Sequence, residues 1–130
     1  MNEKKIIQIA SNTSFYGLKN LTILKTKAKN KICGDEIDIE VEKDFKSIRF
    51  ETNSCIYTQA SAAILAENFS EIYKYGLKNM LKYIKRNLNG ENVKLPFQIK
   101  DLNILIDKRH KNRKECITLP YDAILEIIND

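Results

Sequence analysis

The apolar side chains of this chain change their spacing close to residue 54. Before it they recur at every second position, and beyond it at helical spacing. A period of two suits a half-buried strand, while a period near 3.6 suits a helix with one apolar face. Polar and apolar residues alternate along "LTILKTKAKN" (21–30). In "EIDIEVE" (36–42), Ile37, Ile39 and Val41 share one face, and Glu36, Asp38, Glu40 and Glu42 share the other. "KSIRFET" (46–52) alternates again, with Ile48 and Phe50 turned inward. The connections "KICGD" and "KDF" are short, so the three strands are expected to form an antiparallel meander.

The second half reads as helices. "CIYTQASAAILAENF" (55–69) is rich in alanine and other small residues, as expected of a helix packed closely on its neighbours, with Asn53 and Ser54 as candidate caps. "SEIYKYGLKNMLKYIKRNL" (70–88) predicts a second helix starting at Ser70. Its core stripe would be Ile72, Leu77, Met80, Leu81, Ile84 and Leu88, and Gly76 is a weak point in its middle. Short helices are expected at 3–9 and 99–107, and a terminal helix at 118–130 with Pro120 in its first turn. At 130 residues the chain suits one α+β domain spanning 1–130, a three-stranded antiparallel sheet packed against several helices.

Charge narrows the function classes. Lysine and arginine number 22 against 17 acids, a net charge of +5. Most lysines alternate with acids, which is the pattern of a solvated face. "DKRHKNRK" (107–114) is the exception, a dense basic run holding the only histidine, His110. Basic runs bind phosphates, but no aromatic interleaves this one and no helix-turn-helix or RNA-binding signature accompanies it. A basic nucleic-acid or partner-binding module therefore ranks last; a solvated loop, or a dock for an acidic protein surface, ranks higher. No window approaches the roughly 18 to 20 apolar residues of a membrane span, and no signal peptide is read at the start. The expectation is a soluble cytoplasmic protein with no nucleic-acid or membrane partner.

Three cysteines, Cys33, Cys55 and Cys116, are too few for a disulfide framework in such a chain, and no CxxC pair occurs. Each falls at an expected element boundary: Cys33 in the first turn, Cys55 where the third strand gives way to a helix, and Cys116 just before the terminal helix. Boundaries are where function concentrates. Two of the three stand near helix N-termini, where the dipole favours thiolate, the form that binds metal or carries sulfur. Gly34 lets the chain turn so that Cys33 and Asp35 can face one centre. Three thiolates and one carboxylate would make four ligands, suited to tetrahedral zinc or to the irons of a cluster. Independent buried thiols and a turn aspartate are the plainer alternative.

"CGDEIDIEV", "SCIYTQASAAIL" and "RKECITLPYDAIL" resemble, in this order, the three signature segments of the NifU/IscU-type iron–sulfur cluster assembly scaffolds. The resemblance runs from about residue 5 to the end. It implies an α+β domain with a three-stranded antiparallel sheet, and a transient [2Fe–2S] cluster, or zinc in its absence, on Cys33, Asp35, Cys55 and Cys116. The implied partners are a cysteine desulfurase and apo iron–sulfur acceptor proteins, and a cluster shared between protomers would make a homodimer. The long stretch between Cys55 and Cys116, and Arg113 three residues before Cys116, are similar to the SufU branch. Glu115 stands where IscU members carry a histidine, and "DKRHKNRKE" replaces their LPPVK motif, so chaperone-assisted transfer is not implied. Ile32 and Ser54 are milder departures.

The resemblance implies a scaffold that accepts sulfur on one of its cysteines, builds a labile cluster and hands it on. A zinc-dependent sulfurtransferase is the alternative, with Arg113 pairing with a displaced Asp35. His110 reads as an ordinary surface histidine or as a ligand on a mobile loop. There is no Ser-His-Asp set and no glycine-rich phosphate loop, so a carrier is expected in preference to an enzyme.

Overall fold

The structure, a computed structural model, describes residues 3–20, 24–30, 34–42 and 45–128. The expected strand start at 21–23 and the first two residues of the "KDF" turn lie outside them. Helix α1 (Glu3–Ala10) precedes three strands, β1 (Leu24–Lys29), β2 (Glu36–Val41) and β3 (Ile48–Asn53). Helices α2 (Ile56–Glu67), α3 (Phe69–Tyr75), α4 (Leu77–Leu88) and α5 (Leu102–Leu105) follow. A 3₁₀ turn (Lys108–Arg113) then leads into α6 (Lys114–Leu125).

The sheet is the expected antiparallel meander in the order β1-β2-β3. Its register sets Ile39 opposite Phe50 and Val41 opposite Ile48, so the apolar members of both strands share the helix-covered face. All four are buried with Ile37, and α6 crosses β1 and β2 while α2 meets β3. Each such side chain removed from water contributes about 1.5–3 kcal/mol. The opposite face keeps exposed pairs such as Lys27–Asp38 and Lys29–Glu36.

Glu40 departs from that pattern: it is 1% exposed instead of solvated. Residues 16–20 run across the polar face, and the Lys19 and Asn20 N–H groups donate to the Glu40 carboxylate at 3.0 and 2.7 Å. Leu18 N–H donates to Glu51, and Arg49 donates to the Gly17 and Tyr16 carbonyls. Buried charge of this kind needs such donors. Alternation along β2 cannot reveal them.

The helices differ from expectation at their ends. Cys55 itself is the N-cap residue of α2, and neither Asn53 nor Ser54 caps it. The stretch 70–88 is two helices, begun at Phe69 and broken at Gly76, whose φ of 109° no β-carbon residue adopts readily. The stripe Ile72, Leu77, Met80, Ile84 and Leu88 is fully buried, and Leu81 is partly so. The basic run is a 3₁₀ turn in place of a loop, capped where the Asp107 carboxylate accepts from Arg109 N–H at 2.9 Å. Helix α6 therefore begins four residues earlier than 118, which places Cys116 inside its first turn and Pro120 in its interior.

An interior proline has no N–H to give the carbonyl four residues back, which here is that of Cys116. Helix α2 supplies the substitute. Its small residues, Ala60, Ala62, Ala63 and Ala66, are buried; the Ser61 hydroxyl donates across to the Ile117 carbonyl, and the Thr58 hydroxyl lies 3.0 Å from the Cys116 carbonyl. The α2–α6 contact is thus an apolar seam with two hydroxyls, of which that of Thr58 meets the carbonyl that Pro120 leaves without its helical donor.

Candidate metal centre

Asp35 sits at the end of the β1–β2 connection. Gly34, with φ of 79°, takes the left-handed conformation that turns the chain toward β2. Gly34 N–H donates to the Asn30 carbonyl at 2.8 Å, and Asn30 N–H donates to that of Asp35 at 2.7 Å. The Asp35 side chain is thereby aimed inward and is 6% exposed. Cys55, half-buried, arrives from the mouth of α2, and Cys116, 5% exposed, from the first turn of α6. The three ligating atoms lie within 4.8 Å of one another, the one such grouping of Asp, Glu, Cys and His among the described residues. Three of the four sequence-predicted ligands therefore converge. Cys33 lies outside the described residues.

Hydrogen bonds set the charge of this site. Cys55 N–H, at the positive end of α2, donates to Asp35 Oδ1 at 3.3 Å. The Thr58 hydroxyl oxygen lies 2.9 Å from Asp35 Oδ2 and 3.0 Å from the Cys116 carbonyl oxygen, and 3.9 Å from Cys55 Sγ. Burial by itself pushes the Asp35 carboxyl up. The donors from Thr58, Cys55 and Cys116 outweigh it and hold the group below its ordinary value. At neutral pH it is an ionised hard donor beside two soft ones, a candidate ligand set.

The donor set fits a metal. A tetrahedral ion with metal–sulfur bonds near 2.3 Å spaces its ligands by roughly 3.5–4 Å, so a small contraction closes this grouping on one ion. Two thiolates and a carboxylate from three separate segments leave one position for a fourth protein ligand.

Arg113 and His110 stand outside the grouping. The Arg113 guanidinium lies 5.1 Å from the centroid of the Tyr57 ring, and among the described residues no ion pair joins it to Asp35. His110 is neither exposed nor on an open loop. It is 3% exposed, its Nδ1 lies 2.9 Å from the Leu105 carbonyl, and its ring meets Tyr57 edge-on. Tyr57 and Thr58 escaped sequence reasoning. The available signal was a hydroxyl three residues after a cysteine that opens a helix.

No protein-family model matches the chain. Among the solved structures that share its fold are two that carry a family name. One is a SufU from Fervidobacterium islandicum, described as a putative iron–sulfur cluster assembly scaffold protein for the SUF system. It has a TM-score of 0.75 and 21% identity, over 94% of this chain and 92% of that one. The other is the N-terminal part of a NifU-like protein from Brucella abortus, with a TM-score of 0.76 and 19% identity, over 95% and 89%. In sequence, the chain is 25% identical over 133 residues to the iron–sulfur cluster assembly scaffold protein IscU of Thermotoga maritima, spanning 98% of this chain and 92% of the relative. In sequence and in fold the chain is similar to the IscU/NifU/SufU scaffold proteins. The family's three-stranded sheet and helices are those observed, and the family-like segments around Asp35, Cys55 and Cys116 are the ones that meet at the grouping. No helix of the described residues is long and apolar enough to cross a membrane.

Proposed function

We propose that this chain is an iron–sulfur cluster assembly scaffold. In this reading it accepts sulfur from a cysteine desulfurase, carries a labile [2Fe–2S] cluster as cargo and passes it to apo-proteins. The convergence of Asp35, Cys55 and Cys116 carries the proposal. Cys33, two residues before Asp35 in the chain, is the proposed fourth ligand. The family supports the same reading, since the Thermotoga relative is named as such a scaffold. The whole of 1–130 acts as one scaffold domain of the SufU-like branch, on the Arg113–Cys116 spacing. Reduced thiols suit a cytoplasmic setting.

Sulfur arrives by thiol–disulfide-type exchange. A thiolate of Cys33, Cys55 or Cys116 attacks the sulfane sulfur of the desulfurase persulfide; a new S–S bond forms and the enzyme's cysteine leaves as thiolate. Ferrous iron and an external electron donor then turn sulfane sulfur into bridging sulfide. Asp35 makes the cargo releasable, because a carboxylate holds iron less firmly than a fourth thiolate does.

A second reading has one observation in its favour. Donor atoms all within 4.8 Å are spaced for a single ion, which fits a zinc-bound sulfurtransferase. One experiment separates the two. The protein is purified without oxygen, bound zinc and iron are counted, and visible spectra are recorded after reconstitution with iron and sulfide, with Cys55→Ala alongside. A sulfur-to-iron absorption that the variant lacks supports the scaffold. Stoichiometric zinc that iron and sulfide do not displace supports the sulfurtransferase, and neither metal nor cluster refutes both.

A further inference from the structure

We infer that Thr58 is a positioning residue for the metal centre, holding the Asp35 carboxylate in its ligating orientation while tying Cys116 to the same hydroxyl. The inference rests on Asp35, Cys55 and Cys116 forming a metal site. Thr58 is fully buried, so its hydroxyl must find its partners inside the protein. Those within reach belong to the ligands: Asp35 Oδ2 at 2.9 Å, the Cys116 carbonyl at 3.0 Å and Cys55 Sγ at 3.9 Å. One side chain therefore touches a residue from each of the three segments that build the site.

The position of Thr58 follows from the fold. It is the third residue of α2, one turn after Cys55, so its hydroxyl faces back over the helix mouth where Asp35 is held. Pro120 withholds the N–H that would otherwise occupy the Cys116 carbonyl, which leaves that carbonyl directed at Thr58. The hydroxyl carries one proton for two oxygen acceptors. A donation to Asp35 Oδ2 restricts rotation of the carboxylate, and one to the Cys116 carbonyl restrains the first turn of α6. Either way the ligands are held before a metal arrives. Groups that orient metal ligands in this manner typically change affinity by about 10–100-fold.

The test is an anaerobic titration of the intact chain with cobalt(II), following thiolate-to-cobalt charge transfer and the ligand-field bands. Metal-free thermal stability is measured for every variant. Thr58→Val keeps the shape and removes the hydroxyl; it is expected to weaken cobalt binding by about tenfold. Thr58→Ser is expected to restore the wild-type affinity and spectrum. In an Asp35→Ala background, Thr58→Val should add little, because the carboxylate it orients is gone. An equal penalty in both backgrounds, or wild-type binding by Thr58→Val, overturns the inference and leaves the metal site standing. A wild-type chain that takes up no cobalt overturns the site itself, and the role of Thr58 with it.

Discussion

In the proposed scaffold, Asp35 is the residue on which retention and release of cargo would turn. Burial opposes its charge, yet the donors around it hold its pKa below the ordinary value, so at neutral pH it is ionised and able to ligate. Its oxygen is the hard member of an otherwise sulfur-rich set, and the ligand most readily exchanged. Asp35→Ala should therefore give a chain that still assembles cluster and hands it on several-fold more slowly. Transfer from reconstituted protein to an apo-ferredoxin, followed by the visible spectrum, checks this; equal rates would remove the release role from Asp35. The Cys33–Gly34–Asp35 spacing made Asp35 legible only as a candidate ligand, since a turn aspartate explains the same residues. Thr58 was illegible, because a threonine in an alanine-rich helix looks like a packing residue until α6 is laid against it.

At the scale of elements, strands and helices differ in how openly they announce themselves. Alternation in 36–42 and 46–52 specified both strands and their buried faces, because a slip of one residue would expose Ile37, Ile39 and Phe50. The start of α6 was hidden by the basic run, whose charges suggest solvent and whose backbone forms a 3₁₀ turn. Asp107 caps that turn, and the Arg109 side chain and N–H hold its carboxyl down to about 2. A carboxyl depressed in the folded state stabilises it above the unfolded pKa and loses that stabilisation as pH falls through the folded one. Asp107→Asn should therefore be less stable than wild type at pH 6, by tenths of a kcal/mol for so exposed a pair. The gap should close between about pH 4 and pH 2. Urea midpoints across that range test it, and a gap that widens with acid would contradict the assignment.

At the scale of the molecule, the candidate ligands come from three segments that are remote in sequence. A metal held by all three ties the β1–β2 connection, α2 and α6 together, and binds only the folded chain. Ligand linkage at a hundredfold excess over Kd gives about 2.7 kcal/mol. At roughly 3 °C per kcal/mol for a chain of this size, zinc should raise the melting temperature by roughly 8 °C. Cys55→Ala should melt close to the metal-free wild type and gain little from zinc. A similar rise in wild type and variant would place the zinc elsewhere.

The sequence by itself determined the strand alternation, the change to helical spacing at residue 55, and the residue types able to hold a metal. These are local properties, written in the spacing and chemistry of neighbouring side chains. Only the tertiary structure decided that Asp35, Cys55 and Cys116 share one centre, that Glu40 anchors residues 19 and 20, and that His110 is buried. It also decided that Pro120 leaves a carbonyl for Thr58 to meet. Each of these depends on groups brought together across 20 or more residues or on how one element lies against another. Spacing along a single element carries no record of such contacts.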